Sequence, residues 1–272
     1  MTSSPLRVRS LLFVPGSRPD MVAKLARFAP DVAVVDLEDA VAADGKTDAR
    51  EKTVAAVAEL PPGPMRVLIR INPPGTSWHA ADLEAAAGSR AHGVVVPKAD
   101  SAQQVAAVRA ALPPDAVVVA GIETGLGVAD ARSIVAGASA CYFGAEDYIA
   151  DLGGRRSAAN TEVLYARSQV VLAARLAGVP AIDQAVMVLD DASVFAADAR
   201  QGADLGYVGK ICIHPRQVAW AHDAFTPGAQ EVARARAVLA AATGGVTVVD
   251  GQMVDDVHLK LARAVLARAG EG

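Results

Sequence analysis

The sequence predicts a (β/α)8 TIM barrel with a C-terminal helical and hairpin extension. Eight short apolar runs alternate with helix-like segments between residues 10 and 215. Most of these runs are unbroken stretches of Val, Ile, Leu and Ala, as expected for parallel strands covered on both faces. A strand–helix alternation allows a closed barrel or an open doubly wound sheet, and eight units favour closure. The dinucleotide fingerprint of the open alternative is missing, because no first strand leads into G-x-G-x-x-G. Gly125-Leu126-Gly127 follows the fifth strand but lacks the third glycine.

The expected strands are 10–16, 32–39, 66–72, 93–98, 117–124, 141–147, 180–187 and 206–215. Helices are expected at 19–28, 47–59, 101–111, 127–136, 160–177, 190–201 and 216–224. The 101–111 segment begins on a Ser cap, is rich in alanine, and stops at Pro113-Pro114. After residue 225 the pattern changes to a helix (226–242), a Gly-rich connector read as a hairpin (243–256) and a last helix (258–269). Residues 1–225 are therefore read as the barrel. Residues 226–272 are read as an extension that caps its own barrel or reaches a neighbouring subunit.

The 272 residues are 52% apolar, enough for a full core, and the net charge is −4. That charge, with only 4% aromatics, leaves no electrostatic or stacking footprint for nucleic acid. No run approaches 18 apolar residues, so no membrane span is expected. The short run after the basic start is broken by Pro15 and Gly16, which does not suit a signal peptide. A cytoplasmic location is expected. Cys141 and Cys212 sit in apolar runs and read as small buried hydrophobes.

In such a barrel, functional groups sit at the C-terminal ends of the strands. Those ends carry Ser17-Arg18, Asp36-Leu37-Glu38-Asp39, Arg70-Ile71-Asn72, Pro97-Lys98, Glu123-Thr124, Glu146-Asp147, Asp183, and Lys210 with His214. Turn chemistry does not need so many acids beside Arg and Lys. Glu123 and Asp147, on neighbouring strands, suit Mg²⁺, which takes one or two carboxylates plus substrate oxygens and water. Each also precedes a helix, so helix caps explain their spacing equally well. Arg70, inside an apolar strand, needs an anionic partner: a substrate carboxylate, or Asp36 or Glu38. Asp36 and Glu38 share a face by period two, and at least one is expected to pair with Arg70, Lys46 or Arg50. His214 reads equally as a base or as a structural residue. Neither a G-x-S-x-G elbow nor a Cys–His pattern is present.

In order along the chain, RSLLFVPGSRPDM (9–21), VVDLEDAV (34–41), RINP (70–73), VVPK (95–98), GIETGLG (121–127), GAEDY (144–148) and GKICIHPRQV (209–218) resemble the beta subunit of citrate lyase and its stand-alone relatives. These belong to the HpcH/HpaI aldolase superfamily, with malyl-CoA and citramalyl-CoA lyases. The resemblance implies a barrel that binds Mg²⁺ through Glu123 and Asp147 and clamps substrate with Arg70. It implies an acidic pair at Glu38 and Asp39, and an acid from the C-terminal extension, matched here by Asp255 with Asp250 and Asp256 close by. It also implies a homo-oligomer, trimeric or hexameric. Glu38, Arg70 and Asp255 are the candidate catalytic residues. Arg70, Lys98, Glu123, Gly125, Gly144 and Ala145 are the candidate substrate contacts. Gln184 stands where many relatives have a small or apolar residue, which points to an altered substrate pocket.

The implied reaction is reversible cleavage of a β-hydroxyacyl thioester to an acyl thioester and a 2-oxo acid, with Asp255 as base in the synthetic direction. The expected ligands are a coenzyme A thioester and a small 2-oxo acid. Three alternatives stand beside it. One is a class II aldolase acting on free hydroxy-oxo acids, another a malyl-CoA hydrolase or synthase. The third is a non-catalytic subunit of a carrier-protein-linked lyase complex.

Overall fold

The computed structural model describes residue 6, residues 8–241 and residues 245–271. Part of the basic N-terminal stretch (1–5 and 7), the last residue of the expected helix 226–242 and the start of the connector (243–244) lie outside the described residues.

Eight parallel strands pair in chain order and close into a barrel. They are β1 (Ser10–Pro15), β2 (Val32–Asp36), β3 (Arg66–Arg70), β4 (Gly93–Val96), β5 (Val117–Ile122), β6 (Ala140–Phe143), β7 (Ala181–Asp183) and β8 (Gly209–Cys212), and β8 pairs back onto β1. The helices of the barrel begin with α1 (Pro19–Val22), α2 (Leu25–Phe28), α3 (Lys46–Ala58), α4 (His79–Ala87) and α5 (Ala102–Ala110). They continue with α6 (Gly125–Ala129), α7 (Ala131–Val135), α8 (Ala145–Leu152), α9 (Leu164–Ala177), α10 (Ala192–Leu205) and α11 (Arg216–Phe225).

The expected elements are present, with several boundary corrections. Residues 19–28 form two short helices, and 127–136 divides into α6 and α7 where Asp130 leaves helical geometry (φ −103°, ψ 13°). Residues 145–147 belong to α8 rather than to the sixth strand, because the chain turns at the extended Gly144. Helix α4 has no counterpart in the sequence reading. Its buried positions are Asp82 and Ala86, so it carries no apolar stripe to detect. Ser101 does cap α5, its side chain accepting from the Gln104 amide.

Alternation sorts each strand into an inward and an outward row. The inward rows are apolar for most of their length: Leu11, Val32, Val34, Leu68, Val95, Val119, Ala140, Ile182 and Ile211 pack together at the centre. At the C-terminal ends those same rows turn polar. Asp36 follows Val34, Arg70 follows Leu68, and Glu123 follows Val119 and Gly121. Parallel pairing places Asp36 directly beside Arg70. Cys141 and Cys212 are free and buried, and burial pushes both thiols up to about 12.

Asp183 and Lys210 belong to the outward rows. They are register neighbours, and with Arg167 of α9 and Asp198 of α10 they make an ion cluster behind the barrel wall. Arg167 donates to both Asp183 oxygens at 3.0 and 2.7 Å, and Lys210 reaches Asp183 at 2.8 Å and also pairs with Asp198. The two cations and Asp183 have no solvent exposure. Gln184 joins this cluster, donating to Asn160 at 3.1 Å and Asp198 at 3.0 Å. Gln184, expected to alter the substrate pocket, is thus tied through its amide to Asn160 and Asp198, and it lines a hollow with them.

The chain divides into two compact units, Met1–His222 and Asp223–Gly272, with the division inside α11. The second unit holds α12 (Ala229–Ala240), an antiparallel hairpin of β9 (Thr247–Val249) and β10 (Gln252–Val254), and α13 (Asp256–Ala269). Ala235, Val238, Val254 and Ala262 form its small core.

Removing one member of a buried ion cluster strands its partners in a low-dielectric interior. Arg167→Met is expected to lower stability by about 3–5 kcal/mol. The measurement is the urea midpoint at unchanged slope. A shift below about 1 kcal/mol, the scale of a surface ion pair, would show that the cluster is neutral to stability.

Candidate active site

The polar ends of the inward rows meet in a cavity of about 420 Å³ at the C-terminal mouth of the barrel. Its polar lining includes Asp36, Asp39, Arg70, Glu123, Tyr142 and Asp147, and its apolar wall includes Phe13, Met187, Ile211 and Ile213. A larger hollow of about 1190 Å³ opens at the opposite end, beside Arg9, Asp31, Arg66 and His222. Chemistry in this fold is performed at the C-terminal mouth, so the smaller cavity is the candidate site.

Arg70 is the central cation. Its Nε and Nη2 donate to the two Asp36 oxygens at 2.7 and 2.6 Å, a bidentate clamp. Its Nη1 lies 2.8 Å from Glu38 Oε2, an ion pair without hydrogen-bond alignment. The guanidinium also sits over the Phe13 ring, 5.0 Å from its centroid. Burial works against its charge, but Asp36 and the other nearby acids raise its pKa well above the ordinary value.

Asp36 also accepts from the amides of Glu38 (2.8 Å) and Ala40 (3.1 Å). These bonds curl the Leu37–Asp39 segment, which is a turn and not part of the expected strand 32–39. Lys46 fastens the same turn, donating to the carbonyls of Leu37 and Glu38 and to Asn72. Arg50 pairs instead with Asp82 at 2.7 Å. Of the three expected cations, Arg70 is the one that holds the Asp36 and Glu38 carboxylates.

Glu123 is 1% exposed. The Tyr142 hydroxyl donates to one of its oxygens, and the other, Oε2, is buried without a hydrogen-bond partner. Desolvation raises its pKa, Arg70 opposes, Glu38 adds to the rise, and the net effect pushes the carboxyl up to about 7. Space for it depends on two glycines. A Cβ at Gly121 would lie 2.5 Å from Glu123 Oε1, and one at Gly144 would lie 2.7 Å from Glu123 Cγ. Burial likewise raises the Tyr142 pKa well above its usual value, with the Glu123 charge second.

Lys98, just after β4, spans the mouth. Its Nζ lies 2.7 Å from Glu38 Oε1, 3.3 Å from Asp39 Oδ2 and 3.2 Å from Asp147 Oδ1. Burial alone would lower its pKa, but the hydrogen bond and charge of Glu38, then the charges of Glu123 and Asp147, raise it. Glu38 shifts upward, with desolvation outweighing Arg70 and Lys98.

Neither Glu123 nor Asp147 acts as a helix cap. Thr124 caps α6 through its side chain, and the N-cap of α8 is Gly144, with Asp147 inside the first turn. Among the described residues, no group of three or more His, Cys, Asp or Glu side chains could hold a metal ion unaided. Two carboxylates, one of them with an unpartnered buried oxygen, still suit a hard cation that completes its shell with water and substrate oxygens.

The cavity brings together Arg70, Glu123, Gly144, Ala145 and Asp147, and Lys98 and Glu38 stand against them. Gly125 is not in the lining, and its amide is engaged by Asp151 Oδ2 at 2.8 Å. Asp255 lies in the second unit, where it caps α13. Its carboxylate accepts from the Val257 and His258 amides and pairs with the His258 ring at 2.7 Å. His214 makes a local turn, accepting from the Arg216 amide at 3.2 Å. Tyr142 is a site residue that the sequence reading missed. Ala140, Tyr142 and Gly144 share the inward row, and a tyrosine hydroxyl inside a barrel requires a partner.

A buried acid, a bidentate arginine and a carboxylate-rich mouth define a barrel site suited to small anionic substrates with a hard cation. The chain belongs to the HpcH/HpaI aldolase/citrate lyase family, whose model matches residues 9–215. It is 45% identical to the citrate lyase subunit beta-like protein of Deinococcus radiodurans, covering 98% of this chain and 99% of that one. It is 35% identical to a (3S)-malyl-CoA thioesterase of Cereibacter sphaeroides, covering 96% and 94% of the two chains. A similar solved structure is the CitE protein of Mycobacterium tuberculosis in complex with magnesium, acetoacetate and coenzyme A. It has a TM-score of 0.84 and 37% identity, covering 99% of each chain. Among the described residues, no helix is long and apolar enough to cross a membrane.

The shifted Glu123 makes a signed prediction for the metal-free chain. Its carboxyl moves from 4.5 to about 7 on folding, so between these values the folded chain keeps a proton that the unfolded chain has lost. Stability is then full below the lower value and falls as pH rises through the window, by up to about 3 kcal/mol. Glu123→Gln is expected to flatten the urea midpoint across that pH range. If the variant keeps the wild-type slope, another group is titrating.

Proposed function

We propose that the chain is a Mg²⁺-dependent carbon–carbon lyase acting on a β-hydroxyacyl-CoA-type thioester. The products are an acyl thioester, acetyl in the simplest case, and a 2-oxo acid such as oxaloacetate, pyruvate or glyoxylate. The observation that carries this reading is the charge imbalance at the mouth. Among the described residues, six carboxylates at the mouth (Asp36, Glu38, Asp39, Glu123, Glu146 and Asp147) stand against Arg70, Lys98 and, on Glu146, Arg156, and Glu123 keeps an unpartnered buried oxygen. Family membership and the similarity to a protein solved with magnesium, acetoacetate and coenzyme A support the same reading.

Glu123 and Asp147 are the residues that would hold the ion. When bound, Mg²⁺ supplies Lewis-acid polarisation of a carbonyl oxygen. Arg70 gives two of its five N–H groups to Asp36 and turns Nη1 toward Glu38, so the N–H groups left over on Nη1 and Nη2 can meet the carboxylate or developing oxyanion of the acid half. Phe13, Met187, Ile211 and Ile213 give the acyl half an apolar wall. Glu38 keeps Arg70 and Lys98 in place. Asp255 removes the α-proton of the acyl thioester in the condensation direction. Its hydrogen bond from His258 lowers its pKa and keeps it ionised.

The extension is read as a module that brings Asp255 to a barrel mouth, its own or a neighbour's. A homo-oligomer is supported by the outer face of α9, where Tyr165, Leu172 and Leu176 are exposed at helical spacing. Thioester hydrolysis is the second reading, favoured by the relatives named (3S)-malyl-CoA thioesterase. A screen of β-hydroxyacyl-CoA esters with Mg²⁺ separates the two. Lysis releases a 2-oxo acid and leaves the new acyl group on coenzyme A, whereas hydrolysis releases free thiol and the hydroxy acid. Turnover of free hydroxy-oxo acids without coenzyme A binding would favour the free-acid aldolase instead.

The double variant Glu123→Ala, Asp147→Ala is expected to lose both Mg²⁺ binding and cleavage. Retention of both would remove the site assignment. Asp255→Ala is expected to lower kcat by roughly 10²–10⁴-fold, the range of a lost acid–base group, with 2-oxo acid binding nearly unchanged. Equal loss of the two would remove Asp255 as the base.

A further inference from the structure

Lys98 has a conformation that its sequence does not favour. Its φ is +46°, in the left-handed region that non-glycine residues rarely occupy. Strained backbone of this kind is retained where the surrounding contacts over-determine it. Here the contacts are carboxylates from two sides of the mouth. The Lys98 ammonium is 2.7 Å from Glu38 and 3.3 Å from Asp39 after β2, and 3.2 Å from Asp147 in α8. Glu38 is nearly fully buried, whereas Asp147 is 37% exposed and has no other ion pair among the described residues. The inner end of this contact is therefore held firmly, and the outer end is open to exchange.

We propose that Lys98 is an internal counter-cation that competes with the divalent ion for Asp147 and so sets the cation affinity of the site. This rests on the reading of Glu123 and Asp147 as the residues that hold the ion. A single positive charge sits against Asp147 where a doubly charged ion would have to share the same carboxylate, and the two cations repel one another. Divalent binding then moves the ammonium off Asp147, while Glu38 and Asp39 retain it at the rim. Lys98 is a positioning residue in this role, acting through Asp147 and touching no reacting atom.

The test is isothermal titration calorimetry of the full chain with Mg²⁺ alone, without substrate. Lys98→Met is expected to tighten Mg²⁺ binding by on the order of tenfold, the scale of removing one nearby positive charge. Lys98→Arg keeps the charge and is expected to stay within about twofold of wild type, the scale of a few tenths of a kcal/mol. Lys98→Gly removes the ammonium while relieving the left-handed strain, so the question remains answerable if the Met variant folds poorly. Unchanged or weaker binding in both neutral variants, with wild type still binding Mg²⁺, overturns the competition and leaves the metal reading standing. Absence of Mg²⁺ binding in every variant and in wild type overturns the metal reading itself, and the competition with it.

Discussion

The pairing of Asp36 with Arg70 is the interaction on which the candidate site depends. Parallel registry of β2 and β3 brings the two side by side at the top of the inward rows. A buried ion pair overcomes its desolvation cost only when its other hydrogen-bonding positions are satisfied. Asp36 meets that condition with two bonds from Arg70 and two from the Glu38 and Ala40 amides. Those amide bonds also shape the turn that presents Glu38 and Asp39. One carboxylate therefore fixes the guanidinium, the turn, and through Glu38 the position of Lys98.

The barrel uses strand parity to keep two charged systems apart. Asp36, Arg70 and Glu123 occupy inward rows and reach the cavity. Asp183 and Lys210 occupy outward rows, because Ile182 and Ile211 take the inward places on their strands. The outward charges meet Arg167 and Asp198 and balance as two cations against two anions, with Asp198 alone among the four partly exposed. The inward charges do not balance, and they line an open cavity. Equivalent residue types at equivalent strand ends thus serve stability on one side of the wall and leave electrostatic demand on the other.

Much of this was legible in the sequence. Continuous apolar runs ending in polar residues were enough to predict eight parallel strands with their charged ends gathered at one mouth, and Arg70 stood out because a cation inside a strand must have a partner. The legible part ended where pairing depends on parity at short strands. β7 spans only Ala181–Asp183, too few residues for alternation to assign Asp183 to the outer face. Arg167 and Asp198 sit on helices far away in the chain, and nothing local announces that they are buried. Helix α4 was missed because its inward contact is made by Asp82, which accepts from Asn72 and Arg50. The helix-cap explanation of Glu123 could be settled only by geometry, since Thr124 next to it is an equally good cap.

The electrostatics of the mouth connect these features to chemistry. A small anionic ligand approaching six carboxylates and three cations would meet net repulsion, because Arg70 is already half-committed to Asp36 and Arg156 is held by Glu146. Protonation of Glu123 eases that repulsion but also withdraws one candidate ligand. A bound dication would ease it without that loss, and Glu123, with its unpartnered buried oxygen, is one of the residues that would hold it. The arrangement that makes the metal-free mouth costly, a desolvated acid held open by Gly121 and Gly144 beneath a lysine that spans the rim, is thus the arrangement that a hard cation and an anionic ligand would complete together.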